Sequence, residues 1–411
     1  MKIGMTIRTF YPKSGGLQAH AETLVQELER LGHDVTIVTR SVSHSPSYHD
    51  YFFFSEPART VEVNGCSVCV IGHSKYLNGL MWIISKCISR KPLFALGVWL
   101  FQLIFSRQTI SAFDDVEVIH HVGQAHELIG FAAAHAAQTL KIPFLIQPTL
   151  HPGQWGDSIF DFHLYRYAQR FLVHTKFEHD FLRTHGFSTP IDVVGNGISD
   201  RLDGDGDRFC CRYQLTHPIL LFLGRKSVDK GYFLLKQAFA LVRKQRPDIT
   251  LVCMGPSGNA DANLSIDNGS IDNGILELGF GSEQEKHDAL AACTALCVPS
   301  EAESFGLVYM EAGRYGKPLI GRKMPVLQEL LGQSEAALLV GDQHHECLNP
   351  DALKEAILSI LNHPERARNL GENAYRVSSQ FLWSKVVLNF ESAYFSICQK
   401  DDSVKNSLTK N

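Results

Sequence analysis

Residues 300–313 read Ser-Glu-Ala-Glu-Ser-Phe-Gly-Leu-Val-Tyr-Met-Glu-Ala-Gly. The apolar run at 294–298 before them is typical of a buried strand, and apolar and small residues recur at helical spacing from Gly306 onward. We therefore expect a helix that starts near residue 305. The first N–H groups of a helix lack intrahelical acceptors and carry roughly half a positive charge. The backbone amides of Ser304, Phe305 and Gly306 thus predict an anion site.

Two carboxylates, Glu303 and Glu311, flank this predicted site. At about 1.5 Å of rise per residue they lie roughly 8 to 12 Å apart along the helix axis. This offset suits one long ligand, with a diphosphate at the helix N-terminus, a sugar beside Glu303 and a ribose beside Glu311. Chance is the alternative, because a chain of this length contains such Glu pairs and because the helix dipole favours Glu in a first turn.

With Pro299 before it and Gly316-Lys317-Pro318 after it, the segment resembles the E-x7-E signature of retaining glycosyltransferase family 4. The resemblance implies a GT-B fold and transfer of a sugar from a nucleotide diphosphate-sugar with retained anomeric configuration. It also implies that Glu303 contacts the sugar, that Glu311 binds the ribose, and that residues 304–306 bind the donor.

A second segment follows the apolar run 219–223 and reads Gly224-Arg-Lys-Ser-Val-Asp-Lys-Gly231. Arg225 offers a planar fork for phosphate oxygens and Lys230 offers a point charge. Cations at a strand end are often only surface residues. The spacing is similar to that of the same family, which implies that Arg225 and Lys230 are diphosphate ligands. It differs from a P-loop, which needs a Gly-Lys-Ser or Gly-Lys-Thr run.

The N-terminal part opens with a strand, a helix and a strand over residues 2–39, with Pro12 and Gly15-Gly16 in the first turn. Resemblance to the family's opening implies that Gly16 lets the backbone approach the donor phosphates. Further on, His151 follows an apolar run at 143–147, at a strand end where doubly wound folds bind ligands. The family pattern implies that His151 is a sugar-contacting, catalytic residue together with Glu303, although a His beside a Pro-Gly turn is usually a solvated loop residue.

Composition narrows the function class. The chain has 411 residues, a net charge of −4, 45% hydrophobic and 20% charged residues, which is typical of a soluble protein of two domains and gives no general attraction to nucleic acid. The N-terminus lacks an apolar signal region and the single CxxC, Cys66 to Cys69, lacks a second pair, so we expect a cytoplasmic protein with reduced thiols.

No metal ion or other cofactor is expected. His120, His121 and His126 cluster, but no carboxylate or Cys clearly completes a ligand set. An Asp-x-Asp metal site like that of the other major glycosyltransferase fold is not evident.

Alternating strands and helices predict an α/β fold of the GT-B class, with two doubly wound Rossmann-like domains facing a cleft. The expected parts are an acceptor-binding domain at 1–198, a nucleotide-sugar-binding domain at 199–378, a C-terminal helix at 379–400 that packs back on the first domain, and a disordered tail at 401–411.

Between Glu62 and Asp114 the chain has no acidic residue, while five basic residues lie among large apolar residues from 75 to 107. The apolar run 93–105 is shorter than the ~20 residues that span a bilayer. One interpretation is core helices with basic residues on the wet face. The other is a patch that holds the protein at an anionic membrane, at its inner face, where a lipid-linked acceptor would lie.

The sequence therefore predicts a retaining glycosyltransferase that uses a nucleotide-sugar donor and a glycan or lipid-linked acceptor, in cell-surface polysaccharide, lipopolysaccharide or glycolipid assembly. Two alternatives stay open. One is an epimerase or phosphorylase on the same fold, which an acceptor requirement would distinguish. The other is a non-catalytic nucleotide-sugar-binding scaffold of a glycan-assembly complex, which would bind donor without turnover.

Overall fold

The computed structural model describes residues 1–10, 16–42, 55–151, 153, 155–256, 271–341 and 348–408. The chain divides into two compact units. Unit 1 comprises Met1–Gly195 with Trp383–Asn411, and unit 2 comprises Asn196–Leu382. The first boundary lies three residues before the expected 198/199 junction, and the second lies four residues after the expected 378/379 junction.

Unit 1 is a doubly wound α/β unit. Its described strands form a sheet in the order β3-β4-β2-β1-β5-β6-β7-β8, parallel except for the β3–β4 pair. The strands are β1 (Lys2–Thr9), β2 (Asp34–Ser41), β3 (Arg59–Val63), β4 (Cys66–Val70), β5 (Val118–Val122), β6 (Phe144–Gln147), β7 (Arg170–Val173) and β8 (Ile191–Val193). The helices are α1 (Gly16–Arg30), α2 (Asn78–Ile88), α3 (Phe94–Ala112), α4 (Ile129–Leu140), α5 (Ile159–Tyr165) and α6 (Lys176–Thr184).

Unit 2 repeats the architecture. Its described strands run in the order β11-β12-β10-β9-β13-β14-β15, parallel except for β11–β12. The strands are β9 (Ile219–Leu223), β10 (Thr250–Met254), β11 (Ile271–Asp272), β12 (Ile275–Leu278), β13 (Ala295–Val298), β14 (Leu319–Arg322) and β15 (Ala337–Val340). The helices are α7 (Gly206–Tyr213), α8 (Tyr232–Arg243), α9 (Glu283–Ala292), α10 (Leu307–Arg314), α11 (Pro325–Leu327), α12 (Pro350–Asn362) and α13 (Pro364–Ser378).

Two central strands of unit 2, β9 and β13, are buried along their whole length. A parallel strand covered by helices on both faces needs apolar residues at every position. This is why short, continuous apolar runs locate these strands in the sequence. The expected α/β fold class with two Rossmann-like domains is confirmed.

The last helix, α14 (Trp383–Leu408), belongs to unit 1 and packs against α1. Several histidines of unit 1 contact this helix. Tyr394 and the His120 Nδ1 atom lie 2.9 Å apart, and Glu391 accepts from His33 Nε2 at 2.9 Å. The His20 ring lies 5.3 Å from the Trp383 ring. The expectation that the C-terminal helix packs on the first domain is therefore confirmed, and the helix continues to Leu408 where the sequence predicts a disordered tail from 401.

The sequence predicts a helix break near Gly371 or Phe381, and the structure confirms the second position, because one helix ends at Ser378 and the next begins at Trp383. Gly371 lies inside α13 instead. A Cβ added at this position would lie 2.1 Å from the Gly316 carbonyl oxygen. Here glycine permits close backbone packing and does not end the helix.

We predict that Gly371→Ala destabilises unit 2, because the backbone of Gly316 must move to admit the methyl group. The expected loss is about 1 to 3 kcal/mol, the usual cost of overpacking. Gly79→Ala in α2 is the control, since nothing lies within 4 Å of a Cβ built there. Thermal melts should show a lower Tm for Gly371→Ala and an unchanged or slightly higher Tm for Gly79→Ala; equal melts for both would contradict the packing role of Gly371.

Candidate active site

Two loops of unit 2 meet where the strand order of its sheet reverses. Strand β9 pairs with β10 on one side and with β13 on the other. In open α/β sheets, ligands bind outside the carboxyl ends of the strands at such a point. The 224–231 loop follows β9 and the 299–306 loop follows β13, so both predicted ligand segments lie at this position.

Backbone contacts fix the two loops against each other. The Glu301 N–H donates to the Asp229 carbonyl at 2.8 Å. Gly231 has a left-handed φ of +71°, and a Cβ there would lie 2.3 Å from the Pro299 carbonyl oxygen. Only glycine combines this conformation with this approach, so the spacing of the two loops depends on Gly231.

The main side-chain contact between the loops is an ion pair. Lys230 Nζ donates to Glu303 Oε1 at 2.7 Å, and the two side chains are 21% and 11% exposed. The structure thus brings together two predicted site residues that are 73 positions apart in the sequence. Partial burial makes the pair sensitive to geometry, because each charge loses hydration that the partner must replace.

The other cations of the 224–231 loop have different surroundings. Arg225 is exposed and pairs with Asp229 at 2.8 Å. Lys226 is largely buried, donates to the Leu278 carbonyl at 2.8 Å and pairs with Glu277 at 2.9 Å. Arg225 is therefore placed where a ligand could replace Asp229, whereas Lys226 ties the loop to the end of β12.

Helix α10 begins at Leu307, two residues later than expected. Gly306 precedes it with a φ of +82°, and a Cβ there would meet Tyr309 and Leu327 side chains at 3.0 and 3.1 Å. Gly306 is thus required by its own backbone and packing. The Phe305 side chain is buried with its ring 5.0 Å from that of Phe381, so only the backbone of Phe305 could serve a ligand.

Tyr309 anchors this helix to the sheet. Its side chain is fully buried, its hydroxyl donates to the Val298 carbonyl at the end of β13, and burial raises the Tyr309 pKa well above its ordinary value. The contact sets the position of the α10 N-terminus relative to the strand end.

Glu311 is held by a residue that the sequence does not indicate. Lys286 on α9 donates to Glu311 Oε1 at 2.7 Å and also pairs with Glu283 at 2.8 Å. Burial of Lys286 opposes protonation, but the Glu311 and Glu283 carboxylates outweigh it and raise the Lys286 pKa. The side chain of Glu311, which the sequence predicts to bind the ribose, is therefore held in position by Lys286.

In unit 1, His151 lies on a short, closely tied loop. It exchanges two backbone hydrogen bonds of 3.0 Å with Trp155, and their rings lie 4.3 Å apart. The His151 Nδ1 atom is 3.1 Å from the Thr149 carbonyl, which can only accept. This contact therefore requires a proton on Nδ1. Pro152, in the same loop, lies outside the described residues.

A buried carboxylate, Glu178, holds the start of this loop. Its two oxygens accept from the backbone N–H groups of Leu150, at 2.8 Å, and His174. Thr149 between the strand and His151 has a left-handed φ of 49°. Glu178 is at the first turn of α6, where the sequence shows only an ordinary helix-start carboxylate.

Gly16 is the first residue of α1, is exposed, and has nothing within 4 Å of a Cβ built on it. This open space is compatible with the predicted approach of a ligand. Pro12 and Gly15 lie outside the described residues.

A buried carboxyl group of unit 1, that of Glu127, follows β5. Glu127 Oε2 is enclosed, and burial raises the pKa of Glu127 from 4.5 to about 7, although the Arg8 charge opposes the shift. The sequence does not single out Glu127, because one Glu before a helix carries no distinct signal.

Two of the three clustered histidines are core residues of unit 1. His120 and His121 are fully buried and contact Tyr394 and Thr6, and burial lowers the pKa of His121 to about 3. In the part of the chain that the structure describes, no group of three or more His, Cys, Asp or Glu side chains could hold a metal ion. Cys66 and Cys69 are free thiols on β4.

The linker 203–207 reads Asp-Gly-Asp-Gly-Asp and so contains an Asp-x-Asp spacing. Its first two carboxylates have structural partners. Asp203 pairs with Arg201, and Asp205 caps α7 by accepting from the Arg208 N–H at 3.0 Å.

Two family models match the chain. The model described as Glycosyltransferase Family 4 matches residues 14–202, and the model described as Glycosyl transferases group 1 matches residues 212–377. The two matches together cover most of both units.

Relatives match over nearly the whole length. An uncharacterized glycosyltransferase of Methanocaldococcus jannaschii is 25% identical over 94% of this chain and 95% of its own. A D-inositol 3-phosphate glycosyltransferase of Corynebacterium aurimucosum is 28% identical over 93% and 91%. The structure of Anabaena HepE in complex with UDP-glucose aligns with a TM-score of 0.70 and 16% identity, covering 96% of this chain and 100% of that chain.

Fold and family models together define a GT-B glycosyltransferase, an enzyme of the sugar-transferring class. The chain belongs to the family 4 type of these enzymes, with a group 1 domain as its second half. The predicted family and enzyme class are thereby confirmed, while the roles of the individual site residues stay predictions.

We predict that Glu127 makes unit 1 less stable as pH rises. The folded carboxyl binds its proton more tightly than the unfolded one, so the free energy of unfolding falls between pH 4.5 and about 7. The expected loss is about 1 to 3 kcal/mol, because each tenfold gain in proton affinity corresponds to about 1.36 kcal/mol. Glu127→Gln removes this titration.

The measurement is the Tm difference between wild type and Glu127→Gln at pH 5 and pH 7.5, with Glu62→Gln on the exposed face of β3 as control. The Tm of Glu127→Gln should exceed the Tm of wild type by several degrees at pH 7.5, and the two Tm values should be similar at pH 5. A difference that does not change with pH, or the same change for Glu62→Gln, would refute the assignment.

Proposed function

We propose that the protein transfers a sugar from a nucleotide diphosphate-sugar to an acceptor with retention of the anomeric configuration, and that it needs no metal ion. The observation that carries this proposal is the Lys230–Glu303 ion pair at the switch point of unit 2, beside the N-terminus of α10. The pair would offer a cation to phosphate and a carboxylate to sugar hydroxyls.

The donor diphosphate would bind to Arg225, Lys230 and the backbone amides of residues 304–306. Negative charge develops on the diphosphate as its bond to the anomeric carbon breaks, and fixed positive groups stabilise that charge without reorganisation. A bound metal supplies the same stabilisation in other enzymes. In this protein, the positive protein groups would supply that stabilisation.

Glu303 would hold the sugar. An ammonium group has three donors, so Lys230 can keep its bond to Glu303 while it donates to a phosphate oxygen. The ion pair would then fix the sugar-binding carboxylate at a set distance from the diphosphate. His151 Nε2 would accept from another sugar hydroxyl, and Glu311, oriented by Lys286, would accept from the ribose. Gly16 would leave room for the phosphates.

We further infer that the acceptor is a glycan or a lipid-linked glycan, used in cell-surface polysaccharide, lipopolysaccharide or glycolipid assembly at the inner face of the membrane. Support for a membrane location comes from the basic and apolar segment 75–107, which contains no acidic residue. Transfer to an acceptor distinguishes this function from an epimerase, and turnover distinguishes it from a binding scaffold.

We predict that one nucleotide among UDP, GDP and ADP, or its sugar conjugate, raises the Tm, with or without EDTA. A ligand at a thousandfold excess over its Kd adds about 4 kcal/mol of stability. Lys230→Gln should abolish the shift, and Lys244→Gln, exposed at the end of α8, should retain it. A shift lost in EDTA would contradict metal independence, and no shift with any nucleotide would contradict the donor site.

We predict that Glu303→Gln lowers the release of nucleotide from the donor identified in this way by about a hundredfold or more, in the range of a lost transition-state contact. Its affinity for the free nucleotide diphosphate should hold or rise, because Lys230 loses its partner. Glu301→Gln is the matched control, since Glu301 lies in the same loop, is exposed and pairs with Arg322 at 3.9 Å. Equal loss of turnover and nucleotide affinity in Glu303→Gln would contradict a contact with the sugar.

A further inference from the structure

Helices α2 and α3 of unit 1 expose large apolar side chains to solvent. Trp82 and Trp99 are each 54% exposed, Leu103 is 62% exposed, and Tyr76 in the short helical turn before α2 is 97% exposed. Isolated exposed apolar residues are ordinary, but several on two helices that pack against each other indicate an interaction site. The exposed residues of 75–107 are called the α2–α3 surface below; its apolar members are Tyr76, Trp82, Ile83, Leu93, Leu96, Trp99 and Leu103.

The exposure follows from helix geometry. On α3, Leu96, Trp99 and Leu103 are three and four residues apart and so lie on one face. The opposite face carries Phe101 and Phe105, which are fully buried in the core of unit 1. The two interpretations of this segment offered by the sequence, core helix and interfacial patch, therefore describe two faces of the same helix.

The two helices pack closely against each other. A Cβ at Gly97 of α3 would lie 2.8 Å from an Ile88 methyl group and 3.0 Å from Cys87 Cβ, both at the end of α2. Both helices contribute buried residues to the same core, Met81 and Ile84 from α2 and Phe101 from α3. Because both helices pack on the same core, their exposed faces lie on the same side of unit 1.

Charge decides what this surface fits. Lys75, Lys86, Arg90, Lys91 and Arg107 are exposed. Within the described residues none of the five takes part in an ion pair, in contrast to Arg225, Lys226 and Lys230 of unit 2. Lys86 instead lies over the Trp82 ring, 5.7 Å from its centroid. Tryptophan and tyrosine among lysine and arginine, without acids, match the headgroup region of an anionic bilayer.

We propose that the α2–α3 surface docks unit 1 on an anionic membrane, with both helices parallel to the bilayer plane and Trp82, Trp99 and Leu103 inserted at the headgroup boundary. By length and composition, residues 91–112 form the one helical segment in the described chain that could cross a bilayer, and this segment is partly buried in the protein. Spanning would remove Phe101 and Phe105 from the core. Lying in the interface keeps them there and covers only the exposed face.

The test is flotation of the full-length protein with vesicles of phosphatidylcholine alone or with added phosphatidylglycerol, at physiological and raised salt. Wild type should float with the phosphatidylglycerol vesicles and be released by salt. Lys86, Arg90 and Lys91 changed together to Gln should weaken binding about a hundredfold, since each basic residue near an anionic surface contributes about fivefold. Trp99→Ser with Leu103→Ser should weaken it about tenfold or more, through lost apolar insertion.

Two matched controls test whether vesicle binding depends on the α2–α3 surface or on exposed cations and apolar side chains anywhere on the protein. Lys244, Arg366 and Arg368 changed together to Gln remove three exposed cations of unit 2, and Leu388→Ser removes an exposed apolar residue of α14. Both should float like wild type. All variants should keep the nucleotide-induced Tm shift, so that failure of membrane docking and failure of the donor site are read separately.

Three results would overturn the proposal. One is no flotation of wild type with phosphatidylglycerol vesicles. Another is flotation that the surface variants do not reduce. A third is a wild-type dimer in solution without lipid that Trp99→Ser with Leu103→Ser converts to monomer, because the surface would then be an interface between two copies.

Discussion

The ion pair between Lys230 and Glu303 is the side-chain interaction on which the geometry of the candidate site in unit 2 depends. Each partner comes from a different loop, and each loop follows a different central strand. The pair contributes little to the stability of the fold, because the free energy lost when the two charges are partly removed from water is similar to the free energy gained by their attraction. Its value is geometric, because it sets one carboxylate against one ammonium group where two strands end.

That geometry is possible only because the backbone brings the loops together first. Gly231 allows the Pro299 carbonyl to approach where any side chain would collide, and the Glu301 N–H bond to Asp229 closes the contact. Tyr309 then holds the following helix to the strand end through a buried hydroxyl. The site is thus supported by glycine conformation and by hydrogen bonds that no ligand needs to supply, which is the condition for a preorganised site.

Much of this could be predicted from the sequence, for a physical reason. Buried parallel strands are continuous apolar runs, and glycine turns follow them, so the sequence locates β9 and β13 and their loops with the ligand residues. It places the start of α10 two residues early, because Gly306 adopts a left-handed conformation and delays the first helical residue to Leu307. It also suggests Gly371 as a helix breaker, because the close contact of Gly371 with Gly316 depends on chain folding and not on local propensity.

The supporting residues could not be predicted, because their partners are distant in sequence and their own surroundings are ordinary. Lys286 and Glu311 are 25 residues apart, and Leu150 and Glu178 are 28 apart, each within a normal helix or turn pattern. The faces of α3 are hidden for a different reason. Apolar residues occur all round this helix, so its pattern has no polar face to mark solvent, and only the packing of Phe101 and Phe105 reveals which side is buried.

The two charged regions differ in the partners of their basic side chains. Arg225, Lys226 and Lys230 are paired within unit 2, and a phosphate oxygen could substitute for or join the carboxylates already present. An exposed cation in water needs no partner, so the unpaired basic residues of the α2–α3 surface mean little alone. They acquire meaning beside Trp99 and Leu103, because exposed apolar area costs about 25 cal/mol per Å² in water and only a second phase or a partner removes that cost. The same stretch of chain that lacks acids also carries this apolar area, and the proposed anionic membrane would meet both conditions together.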